Sequence, residues 1–261
     1  MKTTALLIFL CLLCGCLCCA EVDFKKWGIE PGSAVFPDKD TGYALQFKDG
    51  KNNILKTTDS GKTWRVCRYG RTIMDHDDAA PEGESPGPEN ICRLYFVDAD
   101  NGFAYGGGQI SAPIFLATRD GGATWDEAEG DRLDRIVGDG IQGMHMFSSR
   151  EGFIQNLCWM VKTVDGWRSA EVIYPSGEKD IRQYGWFVMG MFCFRDINRG
   201  FLVLEKGVLY TEDGAKNWRL VLSIDGYQIE KIVREESGII LAGKNRSYLS
   251  TDFGATWEQR D

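Results

Sequence analysis

The chain has 261 residues, of which 43% are hydrophobic and 12% aromatic, with 31 glycines and 7 prolines. This is a globular composition, and the length suits one large all-β domain or two small domains. The formal net charge of −8 argues against nucleic acid as a partner, because a clustered basic face supplies most of the affinity for nucleic acid.

Residues 1–20 are predicted to be a targeting segment. Lys2 provides its positively charged end, and an apolar run follows from Ala5 to Leu13. That run is too short to span a bilayer as a helix of the mature protein. We therefore expect export, either to the bacterial cell envelope or as a secreted protein, and a single mature domain over 21–261.

Two cleavage sites compete within this segment. Leu13-Cys14-Gly15-Cys16 resembles a bacterial lipobox, in which Cys16 is the lipidated residue. Cys18-Cys19-Ala20 instead places small residues where an ordinary signal peptidase cuts, which leaves Glu21 first. We favour the lipoprotein, whose partner would include the membrane through its lipid anchor.

The cysteines outside the targeting segment are Cys67, Cys92, Cys158 and Cys193. They form no C-x-x-C pair, so we expect no zinc site. Export permits disulfides, and Cys67 and Cys92 flank the longest predicted loop. A disulfide between these two is the pairing that we predict; the alternative is that they are free thiols.

An eight-residue pattern with an acidic turn and a closing tryptophan recurs along the chain. Its first copy reads Thr57-Thr58-Asp59-Ser60-Gly61-Lys62-Thr63-Trp64. Complete copies follow at Thr118–Trp125 and Ser250–Trp257, a degraded one at Thr211–Trp218, and a shortened one at Thr163–Trp167. The aspartates and tryptophans of the five copies are Asp59, Trp64, Asp120, Trp125, Asp165, Trp167, Asp213, Trp218, Asp252 and Trp257. Their spacing matches a propeller blade of about 40–50 residues.

A second signature precedes each copy: an apolar residue, a polar turn, a glycine and another apolar residue. Phe36 to Tyr43 and Phe96 to Phe103 are the first two examples, and each predicts a β-hairpin. Each unit therefore predicts four short strands, near 33–36, 43–47, 53–58 and 64–68 in the first and 93–96, 103–107, 113–118 and 125–128 in the second. A sustained 3.6-residue pattern is absent, so few helices are expected, with one turn at 131–137.

Five such units fill 33–261. The sequence predicts an all-β, five-bladed β-propeller of four-stranded antiparallel blades, with six or seven blades as the alternative. The segment 23–29 is predicted to pair with the last blade and close the ring, since an open terminal blade leaves unpaired strand groups.

The repeated pattern has a local structural explanation. An aspartate in a tight turn accepts hydrogen bonds from backbone N–H groups two residues on. Gly61 and Gly254 are suited to a positive φ, and the tryptophan carries a large ring into the space between blades. We therefore predict that these residues stabilise turns and carry no chemistry.

The Ser/Thr-x-Asp-x-Gly-x-Thr-Trp pattern resembles the Asp-box, or BNR, repeat. That resemblance implies a β-propeller in which the boxes join the third and fourth strands, on the face away from the ligand site. Sialidases, other glycan hydrolases, sorting receptors and the photosystem II assembly factors share the repeat, and the hairpin before each box looks most like that of the last family. Members of that family usually have seven blades, whereas this chain shows five.

The sialidases also carry a Phe/Tyr-Arg-Ile-Pro motif and an arginine triad. The nearest string here is Phe194-Arg195-Asp196-Ile197, which lacks the proline and lies late in the chain. No catalytic residue is therefore assigned, and we expect neither a metal nor a cofactor.

Asp75, His76, Asp77 and Asp78 lie in the longest loop of the face opposite the boxes. They admit three interpretations: a cation site, glycosidase carboxylates, or a solvated acidic loop. The last is favoured, because the EF-hand spacing is absent and one loop supplies no partner carboxylate.

The first strand of each blade lines the channel of a propeller, which places Arg93 and His145 there. His145 has apolar neighbours, so a histidine satisfied within the wall is favoured. The alternative is a small polar pocket at the channel mouth, formed by Arg93, His145, Tyr184 and Trp186.

The functional prediction is an exported, lipid-anchored, non-catalytic propeller. It is expected to be a monomer that binds a protein or glycan through the face opposite the boxes. The alternatives are a glycan-active hydrolase of sialidase type and an assembly factor for a membrane protein complex.

Overall fold

The computed structural model describes residues 22–30, 32–70, 91–108, 111–127, 140–175 and 177–260. Asp75 to Asp78 and the predicted helical turn at 131–137 lie outside these ranges. The described chain folds into five antiparallel sheets that follow one another in sequence, so the predicted all-β, five-bladed propeller is confirmed. Each sheet is one blade.

The strands take the following bounds. Blade 1 holds β1 (Gly42–Lys48), β2 (Lys51–Thr57) and β3 (Arg65–Arg68), and blade 2 holds β4 (Ile91–Phe96), β5 (Gly102–Gly108), β6 (Ser111–Thr118) and β7 (Asp126–Glu127). Blade 3 holds β8 (Gly143–Met146), β9 (Gly152–Gln155), β10 (Met160–Thr163) and β11 (Glu171–Tyr174). Blade 4 holds β12 (Phe187–Phe194), β13 (Gly200–Leu204), β14 (Gly207–Thr211) and β15 (Arg219–Leu222). Blade 5 holds β16 (Ile229–Glu235), β17 (Gly238–Gly243), β18 (Ser247–Ser250) and β19 (Glu258–Arg260).

Helical structure is limited to short pieces in the described chain. Helix α1 spans Glu178–Tyr184, and two 3-10 turns span Lys25–Trp27 and Gly226–Gln228. None of these has the length and apolar character that crossing a bilayer requires.

The N-terminal segment belongs to blade 1. Isolated bridges pair Ile29 with Gln46 and Val35 with Tyr43, so the chain around these two residues lies beside β1 as the first strand of the blade. The Gln46 side chain donates to the Trp27 carbonyl over 2.6 Å. The prediction that 23–29 pairs with the last blade is therefore wrong, because Ile29 pairs with the strand that follows it in the chain.

The core is divided among the interfaces between blades. Alternate residues of each strand face opposite neighbours, as the two-residue period of a strand requires. Phe103 thus packs in the cluster between blades 2 and 3, and Ala104 in the cluster between blades 1 and 2. Similar clusters join blades 3 and 4 and blades 4 and 5. A further cluster pairs blade 1 with its own N-terminal segment, in which Phe24 and Trp27 pack against buried residues that include Trp64.

Blade 5 differs from the others in the register of its first hairpin. In blade 4, as in blades 1 to 3, a glycine pairs with the threonine that opens the next turn, as Gly200 does with Thr211. In blade 5, Ile239 pairs with Ser250 instead, because the hairpin closes directly between Glu235 and Gly238. The fifth hairpin therefore lacks the glycine–threonine pair of the other blades.

Candidate functional site

The alternation of strand direction gives the propeller two distinct edges. The turns between first and second strands and between third and fourth strands lie on one edge, which we call the lower edge. Backbone hydrogen bonds join the two kinds of turn within a blade: Ser60 N–H donates to Asp40 O over 2.9 Å, and Gly214 N–H donates to Asn198 O over 2.9 Å. The remaining connections form the opposite, upper edge.

The repeated segments 57–64, 118–125, 163–170, 211–218 and 250–257 are called the Asp turns below. In the first, the Thr57 hydroxyl donates to Asp59 Oδ1 over 2.8 Å and accepts from the Gly61 N–H over 3.0 Å. Thr63 donates its N–H to Oδ1 over 2.8 Å and its hydroxyl to Oδ2 over 2.6 Å. The backbone N–H that donates to the aspartate carboxylate thus belongs to the residue four positions after it, rather than two as the sequence suggested.

These hydrogen bonds hold the aspartates in the charged form. The Thr63 side chain is the largest influence on Asp59, and its hydrogen bond lowers the pKa of Asp59 to about 2. The Thr124 side chain does the same for Asp120, whose pKa also falls to about 2. The pKa of Asp213 is lowered by the backbone and side chain of Asn217. Both oxygens of each of these carboxylates serve the turn, so none is free for acid–base chemistry.

The third Asp turn has its full length. The Ser169 N–H donates to Asp165 Oδ1 over 2.9 Å, and the Trp167 N–H donates to Thr163 Oγ1 over 3.0 Å. Trp167 therefore occupies the place of Gly61 in the first turn, with a φ of 71°, and Ala170 occupies the place of Trp64. The interpretation of this copy as shortened, with Trp167 as its closing tryptophan, is wrong. Ser169, four residues after the aspartate, was the sequence signal for the right register.

The predicted channel residues lie on inner strands. Arg93 is exposed on β4, and His145 is half-buried on β8, with its ring 4.7 Å from that of Phe147. Burial, followed by the charge of Arg234, lowers the pKa of His145. Within the described ranges, no hydrogen bond or ring contact joins Arg93 or His145 to Tyr184 or Trp186.

Sequence reasoning missed an inner-wall contact between blades 4 and 5. The Arg234 guanidinium donates to Cys193 Sγ over 2.9 Å and lies over the Phe253 ring at 5.8 Å. Burial raises the pKa of the Cys193 thiol, against the opposing charge of Arg234. The contact has no local sequence signal, since it joins strands from two different blades.

Cys67 and Cys92 are both free thiols in the structure, so the predicted disulfide is not formed. Cys67 lies on β3, the outer strand of blade 1, and Cys92 on β4, the inner strand of blade 2. A blade is about 14 Å wide across four strands, whereas a disulfide needs Cα atoms within about 7 Å. Burial raises the pKa of Cys67 to about 11.

Three large apolar side chains are exposed on the upper edge of blade 4 and its connection to blade 5. Trp186 is 44% exposed, Met189 55% and Tyr227 55%, and together they are called the upper patch below. A register shift between Phe187 and Phe192 interrupts the pairing of β12 at Met189, and Gly190 there has a φ of 71°.

Backbone contacts hold the segments that carry the upper patch together. Glu205 N–H donates to Trp186 O over 2.8 Å, and Gly226 N–H donates to Glu205 O over 2.9 Å. Gly226 also lies against Val188, whose Cγ2 is 3.1 Å from the position that a Cβ would take. Tyr184, the last residue of α1, is half-buried beside Trp186. Of the predicted pair, Trp186 thus belongs to the upper patch, and Tyr184 lies two residues before it.

The described residues contain no group of three histidine, cysteine or acidic side chains placed to hold a metal ion.

No protein-family model matches the sequence, and no curated protein matches it. Among solved structures, YCF48 from Cyanidioschyzon merolae is 15% identical, with a TM-score of 0.51, and the match covers 87% of this chain and 71% of that one. PorZ, a surface component of the type-IX secretion system of Porphyromonas gingivalis, is 8% identical with a TM-score of 0.52, covering 87% and 27%. An ancestral GH74 enzyme is 10% identical with a TM-score of 0.51, covering 87% and 30%.

These similarities are to β-propellers, and at such identities they show the fold alone. The chain spans less than a third of the length of PorZ and of the GH74 enzymes that it matches.

Proposed function

We propose that this protein is an exported, non-catalytic β-propeller, anchored by a lipid on Cys16, that binds a protein or glycan partner through its upper edge. The observation that carries the proposal is the upper patch. Exposed aromatic side chains grouped on one rigid edge are typical of recognition surfaces, since Trp and Tyr contribute large contact areas at little cost in conformational entropy.

The carboxylates of the described chain support binding over hydrolysis. A glycosidase needs a pair of carboxyl groups, one of them with a raised pKa so that it donates a proton. The aspartates with a shifted pKa all have a lowered one: Asp38, Asp59, Asp98, Asp120, Asp165, Asp213 and Asp252. All of them lie in turns of the lower edge, away from the upper patch.

A photo-crosslinking amino acid at position 186 tests the binding surface. Installed in the exported, full-length protein, it should capture an envelope protein or a glycan in intact cells. Tyr227→Ala should reduce that capture, because it removes the neighbouring aromatic ring. The matched control is the same crosslinker at Val164, which is 51% exposed in the third Asp turn on the lower edge and should capture little. Equal capture at both positions would contradict a specific upper-edge site.

The lipid anchor has its own test. Cys16→Ser should move the protein from the membrane fraction to the soluble fraction, because a lipid chain supplies the attachment. Cys18→Ser is the matched control and should leave the distribution unchanged. Membrane association that survives Cys16→Ser would show that the anchor lies elsewhere.

The alternative of a glycan-active hydrolase rests on similarity of fold to the ancestral GH74 enzyme and on the acidic segment Asp75 to Asp78 of the sequence. Incubation with chromogenic glycosides and with polysaccharides should give no turnover above a heat-denatured control. Turnover that disappears in Asp77→Asn would establish the hydrolase and remove the non-catalytic assignment.

The second alternative is an assembly factor for a membrane protein complex, which fits the similarity of fold to YCF48. Here the crosslinked partner at position 186 should be a subunit of a membrane complex. Capture of a glycan at that position would exclude this alternative.

A further inference from the structure

A groove crosses the outer rim of blade 2, on the opposite side of that blade from the channel. It has a volume of about 750 Å³ and lies between Arg68 of blade 1 and Arg168 of blade 3. Leu116, Ala117 and Trp125 belong to its walls. We call this feature the rim groove. Its volume is in the range of small-ligand sites, about 300–1,000 Å³.

The rim groove is lined by two arginines from neighbouring blades. Arg119 and Arg168 both line it and both are exposed. Arg119 reaches toward blade 3, where its Nη2 lies 3.2 Å from the position that a Cβ on Gly166 would take. Within the described ranges, neither guanidinium forms an ion pair. Each therefore offers its planar set of N–H donors to the groove.

A buried donor in the wall also lacks an acceptor. Trp167 lines the rim groove and is fully buried, and its indole N–H has no hydrogen-bond partner among the described residues. No part of this N–H is exposed to the groove, so Trp167 forms the floor, and a ligand contacts the exposed side chains around it. The indole N–H of Trp125 interacts with the Cys67 sulfur.

Two acceptors complete the polar lining. Asp126 and Glu127 form the short strand β7 and are both exposed at the groove. The lining thus combines guanidinium groups for an anionic oxygen with carboxylates for hydroxyl donors. The half-buried ring of Trp125 provides a flat apolar surface of the kind on which a sugar ring packs.

We propose that the rim groove is a second binding site, separate from the upper patch, that takes an acidic glycan by its carboxylate or sulfate group. Arg119 and Arg168 contact the oxyanion, since arginine matches the planar oxygens of such groups with paired hydrogen bonds. Asp126 and Glu127 accept from the sugar hydroxyls.

The test is calorimetric titration of the full mature chain with three probes: a tetramer of galacturonic acid, a neutral maltotetraose, and sodium sulfate. The acidic tetramer should bind at 50 mM salt, and the neutral tetramer should not. Arg119→Gln and Arg168→Gln should each weaken binding about tenfold, as the loss of one charged hydrogen bond predicts. Thermal melting should show both variants folded, since the two side chains are exposed.

Arg195→Gln is the matched control, because Arg195 is an exposed arginine at the lower edge of blade 4. It should bind like the wild type, and so should Trp186→Ala, which keeps this test independent of the upper patch. Unchanged affinity in the double variant of Arg119 and Arg168 would overturn the site. Sulfate bound as tightly as the acidic tetramer would overturn the assignment to a glycan, and equal binding of the neutral tetramer would overturn the role of the charge.

Discussion

The lower edge and the upper patch differ in what their characteristic side chains contact. On the lower edge, each Asp turn pairs both carboxylate oxygens within eight residues, as Asp120 does with Thr118 and Thr124. In the upper patch, by contrast, large apolar side chains such as Trp186 remain exposed to solvent. Carboxylates that are paired within their own turn stabilise the scaffold, whereas exposed aromatic surface is available to a partner.

The same contrast holds between tryptophans. Trp167 is fully buried between blades 2 and 3, where its ring lies 6.1 Å from that of Phe115. Trp186 is 44% exposed. The two residues are of the same type, but only Trp186 is accessible to the partner that we propose, so exposure and not residue type is the basis of its assignment.

The largest expected effect is on the buried member of this pair. Trp167→Ala should lower the free energy of unfolding by about 3–5 kcal/mol, because it removes a buried ring and leaves a cavity. Urea denaturation followed by circular dichroism measures the change. A loss below about 1 kcal/mol would show that the interface between blades 2 and 3 collapses onto the vacated space.

A smaller loss is expected within an Asp turn. Thr118→Val should cost about 1–3 kcal/mol, because it leaves the buried Gly122 N–H without the acceptor that it now has at 2.8 Å. The control is Thr58→Val at an exposed position of the first turn, which should change stability by less than about 0.5 kcal/mol. Equal effects of the two variants would remove the distinction between the turn hydroxyl and its exposed neighbour.

The pH dependence of stability should follow the Asp turns. Asp59 and Asp120 have pKa values near 2 in the folded protein, below the ordinary value of 3.8. Since the folded pKa is the lower one, these groups stabilise the fold above pH 3.8, and that contribution is lost as the pH falls toward 2. The contribution of these two aspartates to the melting temperature should thus be constant from pH 5 to 7 and be lost between about pH 4 and 2.

Asp120→Asn makes that expectation specific. The amide does not titrate, so the variant should melt lower at pH 7 and approach the wild type at pH 2. Melting curves that stay a constant interval apart at every pH would contradict the assignment of the acid transition to this turn.

The smallest expected effect on stability is in the upper patch. Trp186→Ala should change the free energy of unfolding by less than about 0.5 kcal/mol, as is usual for an exposed residue, while it reduces partner binding. Urea denaturation of Trp186→Ala, compared with that of Trp167→Ala, measures the effect on stability. A loss comparable to that of Trp167→Ala would place Trp186 in the core and end its assignment to recognition.

The blades and the turn residues were predictable from sequence because their interactions are local. The Asp turns close within eight residues, and the hairpins pair strands that are neighbours in the chain, as Gly42 does with Thr57. The third turn was misread for a local reason as well. Trp167 was aligned with the closing tryptophan of the other copies, although Ser169, four residues after Asp165, indicates the correct register.

The errors and omissions concern contacts between elements that are distant in sequence or space. Residues 23–29 carried no pairing signal, and the structure places them on blade 1. Cys67 and Cys92 flank one loop, yet that loop joins an outer strand to an inner one, so the two thiols lie far apart. The contact of Arg234 with Cys193 joins two blades, and the periodicity of the sequence does not predict it.

The sequence by itself determined the number of blades, the order of their strands and the edge that carries the Asp turns, since repetition and turn chemistry act over a few residues. The tertiary structure decided which aromatic side chains are buried, that Cys67 and Cys92 are free thiols, and where the rim groove and the upper patch form. Those features depend on how neighbouring blades pack and on which loops meet, and a side chain's exposure is set by these distant neighbours.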